Sequence, residues 1–227
     1  MKLTYHGHAC FVVEDGSHAV VIDPFFTGNP LADIKSETVH VEAVLLSHGH
    51  GDHVGDAEAI ARANNALIIA PYEVASYYGN RGLRSHAMAH GGKHTFDFGT
   101  VKLTLAFHGS GFEMGSDIRN GGNPSGLLLT MGGKTLYHAG DTALFSDMKL
   151  IGELQRVDVA ALPIGDNFTM GPEDALLAAE WVHAEVTVPM HYNTFDLIRQ
   201  DPYAFTRSLE AKGLRGSVLQ PGESLTV

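Results

Sequence analysis

Val41-Glu42-Ala43-Val44-Leu45-Leu46-Ser47-His48-Gly49-His50-Gly51-Asp52-His53 is the stretch on which the reading of this chain turns. Its first six residues place valine, alanine and leucine on both parities, the pattern of a strand buried on two faces. The polar turn that follows therefore sits at the carboxyl end of that strand, where open α/β sheets usually bind ligands. His48 and His50 can point to one side of an extended segment. Asp52 and His53 then begin a helix, and Gly49 and Gly51 let the backbone curl so that the four side chains converge. A solvated, glycine-rich turn does not call for four donors in six residues. A metal site does, and imidazole with carboxylate but no thiolate suits zinc, and also manganese, iron or nickel.

Further donors follow other predicted strands. Residues 101–107 end in His108-Gly109-Ser110-Gly111, residues 135–138 lead to Ala139-Gly140-Asp141-Thr142, and Val186-Thr187-Val188-Pro189-Met190 ends in His191. Asp23 follows the predicted strand 19–22. His138 reads as a core or supporting residue. His86, His90 and His94 recur every fourth residue, but Gly91-Gly92 breaks any helix there, so they read as surface or turn residues.

The remaining pattern is that of an α/β fold. The first 23 residues predict strands at 2–5, 9–14 and 19–22 with a turn at Asp15-Gly16. Residues 24–40 read as an irregular loop bordering a pocket. Helices are expected over 56–64, 72–78 and 172–181, the last with Pro172 in its first turn and Glu173 and Asp174 beside its positive end. Short strands are expected over 67–70 and 157–163, and a hairpin over 95–107 turns at Gly99. Residues 112–123, glycine-rich and carrying Arg119, read as a mobile loop over a pocket. A helix from Asp201-Pro202 to Lys212 and two short strands close a single domain of 1–227.

Composition bounds the function. The net charge of -11, with only 15 lysines and arginines, argues against a nucleic-acid surface. Cys10 is the only cysteine, which excludes an intramolecular disulfide and a cysteine-rich zinc site. A reducing compartment follows, and with neither a signal-peptide core nor an apolar run approaching ~20 residues, a soluble cytoplasmic protein without membrane contact is expected.

His48-x-His50-x-Asp52-His53 resembles the metal-binding turn of the metallo-β-lactamase superfamily at every position. The resemblance implies a four-layer αββα sandwich with two pseudo-repeated halves. It implies that His48, His50 and His108 hold one metal, that Asp52, His53 and His191 hold a second, and that Asp141 bridges them. It places Asp23 beneath the turn as a hydrogen-bonding support. Gly7-His8-Ala9-Cys10-Phe11, Asp166-Asn167-Phe168-Thr169-Met170-Gly171-Pro172 and His191-Tyr192-Asn193-Thr194-Phe195 are similar to a family of metal-dependent hydrolases related to the ascorbate-6-phosphate lactonases. That similarity implies that His8 faces the metals with Asn193 beside them. His50 stands where flavodiiron oxygen reductases carry glutamate, Cys10 is not placed as the second-site cysteine of secreted lactamases, and the RNA-gripping arm of tRNA-processing nucleases is missing.

The expected function is hydrolysis of a small ester or lactone by a metal-bridging hydroxide, with Asp52 orienting the water or taking its proton. The expected cofactors are two divalent ions, zinc first. A phosphodiesterase on the same dinuclear site is the alternative. It calls for basic residues beside the metals, and only Arg119, with Arg81 and Arg84, falls in predicted loops. A non-enzymatic metal-binding or regulatory protein is a third reading, against which the complete donor set argues. The partner is a small-molecule substrate, and a homo-oligomer is compatible with the sequence.

Overall fold

The amino-terminal residues alternate in polarity and form three antiparallel strands, β1 (Lys2–Tyr5), β2 (Phe11–Asp15) and β3 (His18–Ile22). This architecture comes from a computed structural model that describes residues 1–114 and 116–227. The chain then passes through β4 (Ala43–Leu45), α1 (Gly51–Val54), α2 (Ala57–Asn64), β5 (Leu67–Pro71), α3 (Tyr72–Gly79) and β6 (Ser85–Met88). The second half opens with β7 (Lys93–Phe96) and β8 (Gly99–Leu105), and continues through a small hairpin of β9 (Gly111–Met114) and β10 (Asp117–Asn120). It goes on through β11 (Ser125–Met131), β12 (Lys134–His138), α4 (Met148–Leu154) and β13 (Val159–Pro163). The chain finishes with α5 (Pro172–Val182), β14 (Val186–Met190), α6 (Pro202–Ala211) and β15 (Ser224–Thr226).

Two sheets result, ordered β15-β1-β2-β3-β4-β5-β6 and β14-β13-β12-β11-β8-β7. Each changes from antiparallel to parallel pairing partway across, at β3/β4 and at β12/β13, so the two halves repeat one plan. The parity of the strands sorts side chains between layers. Val20, Ile22 and Leu45 face the second sheet, where they meet Val101, Leu103, Leu127 and Leu129. Val21, Val44, Leu46 and Ile68 face the other way and pack on Ile60, Ala61, Val74 and Ala75 of α2 and α3. Ala175, Ala179, Phe205 and Leu209 of α5 and α6 join the core on the side of the second sheet. The molecule is therefore the four-layer αββα sandwich with pseudo-repeated halves, and β4 is buried on both faces as its composition requires.

Asp201 caps α6 by accepting from the backbone N–H of Tyr203 at 2.9 Å and Ala204 at 3.1 Å. His86 and His94 lie on the edge strands β6 and β7, and His90 lies in the turn between them. Three expectations change. The hairpin turn lies at Asp97-Phe98, because Phe96 pairs with Gly99, where an added Cβ would come 2.2 Å from the Thr130 carbonyl oxygen. The segment 112–123 contains the paired strands β9 and β10, Phe112 lying opposite Arg119, although Gly115 falls outside the described residues. At the carboxyl end, β15 is accompanied by a single bridge between Gly216 and Thr187. Among the described residues no helix is long and apolar enough to cross a membrane.

Candidate metal centre

The segments that carry the predicted donors end on one rim of the sandwich. Asp23 follows β3, residues 47–53 follow β4, and His108, Asp141 and His191 follow β8, β12 and β14. His8 lies in the turn between β1 and β2, on the same rim because Phe11 pairs with Ile22. Backbone bonds tie the rim of one sheet to that of the other. Ser125 N–H donates to the Ser47 carbonyl at 2.9 Å and His191 N–H to the His8 carbonyl at 2.7 Å. Phe107 N–H donates to Thr142 Oγ1 at 3.0 Å and Ala143 N–H to the Phe107 carbonyl at 3.0 Å, which sets His108 beside Asp141.

Several of these residues have left-handed backbones. His8, Asp23 and His191 have φ of 58°, 45° and 54°, a conformation costing a non-glycine residue roughly 1–3 kcal/mol. Such strain is held by the surrounding structure and gathers where geometry matters. Gly140 has φ +61°, and a Cβ there would stand 2.7 Å from the Ser125 carbonyl oxygen and 3.0 Å from Ser47 Cβ. Gly140→Ala is therefore expected to cost about 1–3 kcal/mol of stability and to lower metal content, read from urea unfolding and elemental analysis. An unchanged midpoint and metal content would mean that the turn before Asp141 has slack.

Asp141 Oδ2 is the centre of the cluster. His191 Nε2 lies 3.0 Å from it, His53 Nε2 3.3 Å, His108 Nε2 3.4 Å and His48 Nε2 4.0 Å. His48 Nε2 and His50 Nδ1 are 2.9 Å apart. Among the described residues three sets of donor atoms fall within 4.8 Å of one another: His48, His50 and His108; His48, His53 and Asp141; and His8, Asp52, His53 and His191.

Hydrogen bonds beneath the cluster fix which nitrogen of each ring faces it. Buried Asp23 accepts from Ser47 N–H at 2.8 Å, Ser47 Oγ–H at 2.6 Å and His53 Nδ1–H at 2.8 Å. Ser47 Oγ has then given its proton away, so it accepts from His48 Nδ1–H at 2.9 Å. Both rings thus turn Nε2 toward Asp141. His138 Nε2–H donates to the Ala9 carbonyl at 2.9 Å, and its Nδ1 accepts from Gly140 N–H at 3.2 Å. It supports the Asp141 turn from the end of β12 and ties that turn to the opposite sheet through Ala9. His8 joins Thr194 Oγ1 at 2.9 Å through Nδ1 and Asp52 Oδ2 at 3.1 Å through Nε2.

Burial holds His48, His50 and His108 below the usual imidazole range, and burial with the neighbouring His191 pushes His8 down to about 4. Burial also opposes the Asp141 carboxylate, yet His191 and His53 outweigh it and hold that carboxyl well below its usual range. Asp52 is lowered too, burial being overcome by the His8 hydrogen bond. In His53 burial favours the neutral ring, but Asp141 and Asp23 prevail and raise it well above its usual value. The site thus draws positive charge. Buried His53 Nε2, Asp141 Oδ1 and His191 Nδ1 have no hydrogen-bond partner, an arrangement costing about 1–3 kcal/mol per group unless something binds. Five imidazoles and two carboxylates gathered in this way, with His53 Nε2 facing Asp141, fit divalent cations.

A cavity of about 630 Å³ opens onto His50, Asp52, His108, Asp141 and His191. Neither Asn193 nor Arg119 lines it. Asn193 is exposed and its Oδ1 accepts from Gln200 N–H at 2.9 Å, so it braces its own loop. Arg119 is exposed on β10, outside the cavity lining. Arg81 pairs with Glu58 at 2.8 Å, and Arg84 donates to the Asn65 carbonyl at 2.8 Å, so neither attends the donors. The residues missed from sequence are Ser47 and Thr194, which orient rings, and the cavity walls Phe25, Glu113, Phe168, Phe195 and Leu197. Phe168 and Phe195 stand within the family-like segments and served there only as markers of resemblance.

A model of the beta-lactamase superfamily domain matches residues 2–191. A UPF0173 metal-dependent hydrolase of Bacillus cereus (strain AH187) is 58% identical over 229 residues, covering 100% of both chains. Igni18, described as a novel metallo hydrolase from the hyperthermophilic archaeon Ignicoccus hospitalis KIN4/I, superposes with a TM-score of 0.91 at 39% identity, covering 100% of this chain and 97% of that one. An isothiocyanate hydrolase from Delia radicum gut bacteria shares the fold, with a TM-score of 0.78 at 22% identity over 100% and 99% of the chains. With its motifs in order along both sheets, the chain belongs to the beta-lactamase superfamily and, within it, to the UPF0173 metal-dependent hydrolase family.

Proposed function

We propose that the protein hydrolyses a small ester or lactone at a dinuclear metal site. The observation that carries this reading is the gathering of three imidazole Nε2 atoms within 3.0–3.4 Å of a single oxygen of Asp141. On this reading His48, His50 and His108 hold one divalent ion, Asp52, His53 and His191 hold the other, and Asp141 lies between. Two bound ions, zinc or else manganese, iron or nickel, supply an activated water with a pKa near ~7 and positive charge for the acyl oxygen.

The chain's own residues do the positioning. Asp23 and Ser47 keep His53 and His48 in the tautomers that leave Nε2 free. His8, held by Thr194, orients the carboxylate of Asp52. Asp52, ionised by that contact, takes the water's proton and returns it to the leaving oxygen. The water oxygen bonds to the acyl carbon, the acyl–oxygen bond breaks, and an acid and an alcohol result, joined in one molecule when the substrate is a lactone.

Elemental analysis beside an ester and lactone panel tests the reading. The wild type should carry about two equivalents of metal and His191→Ala about one, and a chelator should stop turnover until metal is restored. Full loading of the variant, or hydrolysis indifferent to chelation, would overturn it.

A further inference from the structure

We propose that the group beside the reacting acyl carbon is apolar, about the size of a phenyl ring, and free of negative charge. This deepens the hydrolase reading above and rests on it. Phe168, Phe195 and Leu197 are 51%, 40% and 68% exposed, and all three line the metal-facing cavity. Phe25 completes that wall, its ring 6.4 Å from Phe195. Apolar surface gathered at one mouth is the usual sign of a binding surface.

The walls come from three loops, and each is tied down. Phe26 N–H and Thr27 N–H both donate to Asp56 Oδ2 at 2.8 Å, which fixes the loop of Phe25. Met170 N–H donates to the Thr142 carbonyl at 3.0 Å, so the loop of Phe168 is fastened one residue beyond Asp141. Asn193 N–H donates to the Ile198 carbonyl at 2.8 Å and encloses Phe195 and Leu197 in a short braced loop. Loops held in place without a ligand leave less to be ordered on binding. The volume of about 630 Å³ lies within the range of small-molecule sites, roughly 300–1,000 Å³.

Charge narrows the class. Apart from the donor residues, the one charged side chain lining the cavity among the described residues is Glu113, with Oε2 3.8 Å from where a Cβ on Gly51 would stand. Among the described residues no lysine or arginine lines it. A phosphodiester or a free carboxylate held against these walls meets Glu113 and no lysine or arginine, whereas a neutral ring meets Phe25, Phe168 and Phe195.

The test compares three methyl esters on the metal-loaded protein, with release of acid followed at constant pH. Methyl phenylacetate should exceed methyl acetate in kcat/KM by about tenfold or more, and monomethyl succinate, which carries a carboxylate, by about a hundredfold. Phe168→Ala should lower the phenylacetate-to-acetate ratio by about tenfold, and Glu113→Gln should raise turnover of the succinate relative to the acetate. Equal rates on the first two esters, or faster turnover of monomethyl succinate or bis(4-nitrophenyl) phosphate, would overturn the proposal. If the loaded protein hydrolyses none of these, the hydrolase reading falls, and calorimetry with phenylacetamide and succinamate still reads the walls. Binding of the first over the second, weakened by Phe168→Ala, supports the proposal, and equal or absent binding defeats it.

Discussion

Asp141→Ala is expected to yield a folded protein that retains less than one equivalent of metal, with turnover reduced more than about 100-fold. The magnitude is a lower bound, since loss of even an outer partner of a metal ligand costs about 10–100-fold in affinity or activity. Asp141 is 3% exposed, and its Oδ2 is the one oxygen that imidazoles from both proposed ion sets approach. Without it each set keeps three donors and loses the carboxylate charge between them. Asp141→Asn, equal in shape and lacking the charge, should lie near Asp141→Ala. Elemental analysis of both variants decides: full retention of one ion alone would assign Asp141 to the other ion and deny it the position between them.

The second large effect belongs to Asp23, which touches no substrate. Its buried carboxylate accepts three hydrogen bonds, from Ser47 twice and from His53. Asp23→Ala strands those donors, and it leaves a left-handed backbone without a residue type that tolerates one. A loss of about 3–5 kcal/mol is expected, the usual consequence of removing one partner of a buried charged network. Asp23→Asn behaves differently. Asparagine accepts the φ of 45° and can still receive Ser47 N–H, but its amide nitrogen offers His53 Nδ1 a donor in place of an acceptor. His53 then carries its proton on Nε2, where the second ion is proposed to sit. The expected outcome is a modest drop in the unfolding midpoint with a 10–100-fold weaker metal affinity, roughly, by titration with a competing chelator. Asp23→Asn with wild-type affinity would show that the tautomer of His53 is set elsewhere.

The fold and the donors were legible because each donor directly follows a strand that advertises itself. The run 43–45 is apolar on both parities, and residues 47–53 depend only on local backbone curvature, so the strand and its turn could be read without knowing the rest. His108, Asp141 and His191 were found by the same rule. Arg119 was misplaced because a glycine-rich, polar segment hides its strand pairing, which depends on the match between β9 and β10 rather than on alternation. Asn193 was misplaced because its hydrogen bond reaches Gln200, seven residues on, and nothing in the local sequence announces it. The cavity walls were illegible for a third reason: Phe25, Phe168 and Phe195 lie in loops after three different strands, and only the closed sandwich makes them neighbours. Ser47 and Thr194 carried a signal, since each is a hydroxyl close in sequence to a proposed ligand.

The rim that carries the donors is shared between the two sheets. His48, His50, Asp52 and His53 extend from the first sheet and His108, Asp141 and His191 from the second, and the His191–His8 and Ser125–Ser47 backbone bonds stitch the two together at that edge. An ion gripped from both sides, as proposed, would be a clamp across the central seam, and its binding energy would become part of what resists unfolding. Each ion present at a hundredfold excess over its dissociation constant adds about 2.7 kcal/mol to the folded state. Scarcity of metal would then thin the population of folded molecules as well as silence them. Conversely, any substitution that loosens the seam, however far from the cavity, would be felt as a weaker hold on the ions.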